Sequence, residues 1–145
     1  MSKETKQILD KIDTLIEWWE NYSCTAALQD LLNTQDELAS YSWRLAELSS
    51  QTKTDYTYKY LMRKIVVNKK AQALVKSGVE KAWTKALSRA EVESEQVLKE
   101  EIEAEGAAFM ADIKLKQVNK ILGVMQQRIS FVKMQYGLNQ YIDGE

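Results

Sequence analysis

The stretch that decides the fold runs from Thr34 to Gly78 and reads TQDELASYSWRLAELSSQTKTDYTYKYLMRKIVVNKKAQALVKSG. Thr34 lies three residues before Glu37, which is the spacing of an N-terminal capping box, and Gly78 is a residue type that often ends helices. We predict one long helix between them, roughly 65 Å in length at about 1.5 Å per residue. Its inward stripe is expected to hold residues at steps of three and four: Leu38, Tyr41, Leu45, Leu48, Thr52 and Tyr56.

The composition predicts an all-α fold. The 145 residues include no proline and only five glycines, and residues that favour helices dominate. A first helix is expected over 3–20, short helices over 25–32 and 79–87, and a late helix that begins after a capping box at Ser88 and Glu91. The late helix should place Met110, Ile113, Ile121, Leu122, Met125, Ile129, Val132 and Tyr136 on one stripe.

These elements predict a single all-helical domain over residues 1–145, which is a reasonable length for one core. Residues 1–33 form short N-terminal helices, residues 34–136 form an elongated antiparallel helical hairpin, and residues 137–145 form a tail. Gly106 would cost about 1 kcal/mol within a helix and is a candidate for a kink or a short joint, and the pattern leaves open whether the late helix continues through it. A long hairpin with segregated charge also favours a homo-oligomer.

The residue types argue against an enzyme. No histidine occurs, which removes the usual proton carrier and the commonest metal ligand. The glycines at 78, 106 and 123 are isolated, so they form no phosphate loop. The glutamates between Glu91 and Glu105 are interpreted as a solvated acidic face, with no metal and no cofactor.

The sequence predicts a soluble cytoplasmic protein without a membrane partner. The N-terminal apolar residues are spaced, unlike those of a signal peptide, and no apolar run approaches a membrane span. A single cysteine, Cys24, is consistent with a reducing compartment, and we expect it to be a small buried residue.

Charge is segregated along the chain although the net charge is −1. Residues 44–89 hold 11 basic and 3 acidic side chains, whereas residues 90–112 hold 1 basic and 8 acidic ones. Such segregation can serve a polyanion, or it can let one segment or subunit dock on another. Both interpretations stay open at this point.

The basic segment is also aromatic, which is typical of surfaces that bind single-stranded nucleic acid. Lysine and arginine contact phosphates, and tyrosine rings offer faces on which bases stack. Tyr56, Tyr58 and Tyr60 fan out around a helix, so at least one should be exposed. The candidate DNA-binding residues are Lys53, Tyr58, Lys59, Arg63, Lys64, Lys69, Lys70 and Lys76.

A second set of residues is a candidate for contacts with another subunit or partner. The first helix has an apolar stripe that can either cover the long helices or face a second subunit, and Trp43 lies opposite the main stripe of the long helix. The candidate contacts are Ile8, Ile12, Leu15, Trp19 and Trp43.

The layout resembles the UvsY-like recombination mediators of tailed phages, which are small helical proteins of similar length. The similarity lies in Tyr41-Ser42-Trp43-Arg44-Leu45, in the lysine-rich continuation from Lys53 to Ser77-Gly78, and in the late helix over 112–136. This resemblance implies a ring-like oligomer that binds single-stranded DNA and helps load a recombinase onto DNA coated with single-strand-binding protein, in the host cytoplasm. It would place DNA contacts on Lys59, Arg63, Lys64, Lys69 and Lys70.

The competing interpretation is a helical interaction or scaffold protein without a nucleic-acid role, such as a phage structural or host-inhibiting factor. It is favoured by the long apolar stripes, by tryptophans expected at the surface (Trp18, Trp43 and Trp83), and by the acidic segment.

Overall fold

A computed structural model describes the backbone of residues 2–144 and the side chains of residues 2–138 and 144. Over these residues it contains four α-helices and no β-strand. They are α1 (Lys3–Tyr22), α2 (Leu28–Lys76), α3 (Trp83–Glu93) and α4 (Glu95–Asp143). The all-α prediction is therefore confirmed.

The chain divides into two compact units. Unit 1 comprises residues 1–48 and 112–145, and unit 2 comprises residues 49–111. The helices α2 and α4, each 49 residues long, contribute to both units. Each unit buries its own apolar cluster.

The core of unit 1 is built from large apolar side chains on three helices. On α2 the fully buried leucines recur every seven residues, which is the repeat of helices that pack along a common stripe. The predicted inward stripe of α2 is thus confirmed at Leu38 and Leu45, with Tyr41 and Leu48 packed against the cluster. The buried members are Ile8, Ile12, Ile16, Trp19, Leu31, Leu38, Leu45, Val118, Met125 and Ile129.

The core of unit 2 is built mostly from alanine. Val67 and Ala71 of α2 pack with Ala86 and Ala90 of α3. Further along α4, Ala104, Ala108 and Ala111 are also buried. Small side chains let helices approach closely, but each buries little area. Several large apolar residues of these helices are exposed instead.

The helix pair is antiparallel in unit 2, as predicted. Arg63 of α2 forms an ion pair with Glu101 of α4. Tyr56, seven residues earlier on α2, is influenced by Glu105, which lies four residues later on α4. Moving back along α2 therefore corresponds to moving forward along α4.

The predicted start of the long helix at Thr34 is wrong, because α2 begins at Leu28. Thr34 is buried within the helix, and its hydroxyl donates to the carbonyl oxygen of Asp30 at 2.8 Å. No glycine or proline interrupts the chain between the predicted short helix over 25–32 and Thr34. The buried leucine repeat therefore extends upstream of Thr34 to Leu31, and the two predicted helices form one continuous helix.

The capping box predicted at Ser88 is also wrong. Ser88 lies inside α3, where its hydroxyl donates to the carbonyl oxygen of Thr84 at 3.1 Å. The break between α3 and α4 instead falls at Ser94, which is almost fully buried. The predicted turn at Ser77-Gly78 is confirmed, and Gly78 has a φ of 80°.

The structure answers one open question and corrects two expectations. α4 passes through Gly106 without interruption. It continues to Asp143, so the chain at 137–143 is helical and not a separate tail. Glu145 lies outside the described residues. Cys24 is exposed, because it lies in the connection between α1 and α2.

The predicted stripe of α4 holds at its centre and fails at its ends. Ile121, Leu122, Met125, Ile129 and Val132 belong to or pack against the core of unit 1. Met110, Ile113 and Tyr136 are instead exposed. Near Met110 the buried positions are taken by Ala108 and Ala111, which a search for large apolar residues passes over.

Two glycine substitutions should have opposite effects on stability. Gly78→Ala should destabilise the protein by about 1–2 kcal/mol, because its φ of 80° is unfavourable for a residue with a Cβ atom. Gly106→Ala should stabilise it by about 1 kcal/mol, because Gly106 lies inside a helix and nothing lies within 4 Å of an added Cβ atom. Urea denaturation followed by circular dichroism measures both changes. Equal signs for the two substitutions would contradict the assigned turn and helix.

Candidate nucleic-acid interface

The eight residues predicted to bind DNA all lie on α2 in unit 2, where they fall on two sides of the helix. One side packs toward α3 and α4, and the other faces solvent. The inner side holds Lys59, Arg63 and Lys70, which are half-buried. The solvent side, which we term the outer arc, holds Lys53, Tyr58, Lys64, Lys69 and Lys76, which are exposed.

Arg63 has its charge compensated within unit 2. Its Nε atom pairs with Glu101 Oε2, and its Nη2 atom donates to Glu101 Oε1 at 3.5 Å. Both side chains are largely buried, with 20% and 12% of their side-chain surface exposed. A pair in this position holds α2 against α4, and little of the guanidinium is available to a phosphate.

The other two inner cations also have partners close by. Lys70 Nζ donates to the backbone carbonyl oxygen of Glu93 at 2.9 Å, so it caps the C-terminal end of α3. Lys59 Nζ lies 3.7 Å from a carboxylate oxygen of Asp55, one turn earlier on α2. The inner side is therefore explained by contacts inside unit 2.

Arg89 of α3 shows the same pattern. Its guanidinium lies 3.1 Å from a carboxylate oxygen of Glu93 and 3.5 Å from one of Glu80. The hydrogen bond to Glu93 raises the pKa of Arg89, so the positive charge is retained at all ordinary pH values. Glu93 and Glu101 of the acidic segment thus neutralise nearby cations.

The outer arc presents its residues in two rows. Tyr58, Lys69 and Lys76 follow one another at steps of 11 and 7 residues, which return to nearly the same side of a helix. Lys53 and Lys64, also 11 residues apart, form the second row. Four ammonium groups and one phenol ring are thus displayed along one continuous helix, since α2 is unbroken from Leu28 to Lys76.

Tyrosine rings lie beside the cations of α2. Lys64 Nζ is 4.5 Å from the ring centroid of Tyr60, and the Arg63 guanidinium is 5.3 Å from the same centroid. These cation–π contacts orient both side chains. Burial, together with the Glu105 and Glu101 carboxylates, raises the pKa of Tyr56. Tyr58 alone of Tyr56, Tyr58 and Tyr60 is exposed, with 60% of its surface accessible, which confirms that at least one of them faces solvent.

Apolar residues also lie on the solvent side of α2, and the sequence analysis did not identify them. Leu61, Met62 and Ile65 are large, apolar and exposed, and Leu61 and Ile65 lie between the two rows of the outer arc. The sequence signal was available, because Leu61 and Ile65 are one turn apart and lie three and seven residues after Tyr58. The outer arc is therefore amphipathic.

The predicted subunit contacts on α1 lie in the core of unit 1. Ile8, Ile12 and Trp19 are buried against α2 and α4, and Leu15 packs against the same cluster. Their surface is used within the chain, so α1 covers the long helices. Trp43 is different, with 77% of its surface exposed.

The acidic segment shows no arrangement of metal ligands. Across the described residues, no group of three or more acidic or cysteine side chains is placed to hold a metal ion. A search of the described helices also finds none that is long and apolar enough to cross a membrane.

No family model matches the chain, and searches of curated proteins and of solved structures find no match. The resemblance to UvsY-like mediators therefore stays a prediction. The structure sorts the predicted residues by their surroundings, and that sorting can be tested directly.

Removal of Arg63 should affect stability more than removal of its neighbour Lys64. Arg63→Ala leaves the largely buried Glu101 carboxylate without its partner and should cost about 1–3 kcal/mol of unfolding free energy. Lys64→Ala removes an exposed side chain and should change the unfolding free energy by less than about 0.5 kcal/mol.

Replacement of both members of the pair, Arg63→Met with Glu101→Leu, should recover most of the loss, because a packed apolar pair can replace a buried ion pair. Chemical denaturation measures all three variants. Equal losses of unfolding free energy for Arg63→Ala and Lys64→Ala would show that the Arg63–Glu101 pair stabilises the protein no more than an exposed lysine does.

Proposed function

We propose that this protein is a non-enzymatic accessory protein that binds single-stranded DNA through the outer arc of α2. The observation that carries the proposal is the separation of cations in unit 2. Lys59, Arg63 and Lys70 have partners on the inner side, whereas Tyr58, Lys64, Lys69 and Lys76 face solvent. Lys53 is exposed at the beginning of the same arc.

The chemistry of the outer arc suits a single strand better than a duplex. Lysines contact phosphates of either form, but a tyrosine ring stacks only on a base that is not already stacked in a helix. The apolar side chains of Leu61 and Ile65 between the lysine rows can contact base or sugar faces. Lys64, Lys69 and Lys76 give each chain three such cations, so the affinity should be modest and show little sequence preference.

The role in recombination rests on the resemblance of the Tyr41–Leu45 segment and of the lysine-rich continuation to UvsY-like mediators. On this proposal the protein assists the loading of a recombinase onto DNA that carries single-strand-binding protein, in the cytoplasm. Binding of single strands is the part of the proposal that the outer arc itself supports.

A salt titration of DNA binding tests the proposal. Fluorescence anisotropy with a labelled single-stranded oligonucleotide should show binding that weakens with salt and exceeds binding to a duplex of equal length. Changing Lys64, Lys69 and Lys76 to alanine should reduce the slope of log affinity against log salt by about 2, because each contact to a single strand contributes about 0.7.

A matched control changes Lys3, Lys6 and Lys11 to alanine. These residues are exposed on α1 in unit 1, and their removal alters the net charge by the same amount. The control should bind like the wild type. Equal losses in both triple variants would mean that only net charge matters, and absence of binding at low salt would refute the proposal.

Tyr58→Ala should separate stacking from charge. Loss of the stacking contact between the ring and a base should cost about 1–3 kcal/mol of binding free energy. Affinity should therefore fall by about 5- to 150-fold, with no change in the slope of log affinity against log salt. Tyr22→Ala provides the control, since Tyr22 is similarly exposed in unit 1. The same titrations measure both variants, and an unaltered affinity for Tyr58→Ala would exclude stacking on this ring.

A protein-interaction or scaffold role is the second candidate, and exposed apolar residues favour it. Leu61, Met62 and Ile65 on α2 form a surface that a partner helix could cover. A nuclease-treated pull-down distinguishes the two functions, because robust protein partners in the absence of DNA binding would favour the scaffold role.

A further inference from the structure

Helix α4 carries two exposed apolar surfaces with opposite flanking charge. The acidic surface, in unit 2, consists of Ile102, Phe109 and Met110 with Glu103 and Glu105. The basic surface, in unit 1, consists of Val124, Phe131, Met134 and Leu138 with Lys120 and Arg128. The apolar members are each 47–67% exposed, which is unusual for a cluster of side chains this large.

The charges around the two surfaces are complementary. Residues 95–111 hold five acidic side chains and one basic one, whereas residues 113–138 hold five basic side chains and no acidic one. Contact between two acidic or two basic surfaces would bring like charges together. Contact of an acidic surface with a basic surface brings opposite charges together around an apolar centre.

The spacing of the two surfaces also matches for antiparallel packing. Reading forward from Ile102, the exposed stripe passes through 106 and 109 at steps of four and three. Reading backward from Leu138, it passes through Met134 and Phe131 at the same steps. Two helices that approach in opposite directions would therefore place Phe109 against Phe131.

The basic surface has features of an unfilled interface. The Arg128 guanidinium lies 6.0 Å from the ring centroid of Phe131, and Arg128 Nε is buried without a hydrogen-bond partner. A shallow depression of about 650 Å³ runs beside Phe131 and Met134. Arginine is one of the residue types enriched at the centre of protein interfaces.

From these observations we infer that the acidic surface of one copy binds the basic surface of a second copy. If each apolar side chain loses about 100 Å², the three of the acidic surface and the four of the basic surface lose roughly 700 Å² in one contact, an area typical of weak, concentration-dependent association. Because the two surfaces differ, the contact is heterologous. This inference is independent of DNA binding by α2.

Sedimentation of the 145-residue protein between about 1 and 100 μM tests the inference. The wild type should associate as concentration rises, and less so at high salt because exposed charges are screened. Phe109→Lys and Phe131→Glu each place a repelling charge at the centre of one surface and should each weaken association by about 30-fold or more. Both side chains are exposed, so the variants should fold, which circular dichroism would check.

Mixing the two variants provides the sharpest result. Each variant retains the surface that the other lacks, so the acidic surface of Phe131→Glu can bind the basic surface of Phe109→Lys, and the mixture should associate more strongly than either variant alone. Association of Phe109→Lys alone would indicate contact between basic surfaces, and association of Phe131→Glu alone would indicate contact between acidic ones. Either result overturns the inference.

Trp43→Lys is the matched control, because it changes an exposed aromatic residue to a cation outside both surfaces. It should associate like the wild type. Loss of association in this variant would move the contact to α2, and a wild-type protein that stays monomeric up to about 100 μM would also overturn the inference.

Discussion

The structure depends on burial of the apolar stripe that α1 covers in unit 1. Leu31, Leu38 and Leu45 are fully buried at seven-residue intervals, together with Val118 and Met125 of α4. Helices of predominantly polar sequence gain most of their stability from packing and little from helix propensity. Each fully buried leucine contributes about 1.5–3 kcal/mol, so this stripe fixes which faces of α2 and α4 remain outside.

Unit 2 is packed differently from unit 1, because alanine fills most of its buried positions. Ala71, Ala86 and Ala90 bring α2 and α3 together, while Ala104 and Ala108 are buried on α4. Small buried residues stabilise less, and the partly buried Arg63–Glu101 pair supplements them. The same arrangement leaves large apolar residues outside, where they give both α2 and α4 a second apolar surface.

The sequence predicted the helical content, the inward stripe at Leu38 and Leu45, and the turn at Gly78, because each follows from residue spacing or from glycine's backbone freedom. Helix starts were less predictable. Thr34 and Ser88 have capping-box spacing, but their hydroxyls donate to carbonyl oxygens one turn earlier when the helix continues through them. Spacing alone does not distinguish a hydroxyl that caps the start of a helix from one that donates to a carbonyl oxygen within a helix.

The sequence predicts only in part which residues of α2 face the core and which face solvent. Lysine and arginine look alike in a charge count, whether they pair with an acid 38 residues later, as Arg63 does, or face solvent, as Lys69 does. The inward role of alanine was also hidden, since large residues such as Met110 and Ile113 dominate a periodicity search. These features depend on which segments meet in three dimensions.

The proposed DNA contact lies on the outer arc of α2 and not on its inner side. Photo-cross-linking of the wild-type protein to a single-stranded oligonucleotide containing bromodeoxyuridine, followed by mass spectrometry of the peptides, would locate that contact. Cross-links at Tyr58 are expected. Cross-links confined to aromatic residues of unit 1, such as Trp43 and Tyr22, would contradict this placement.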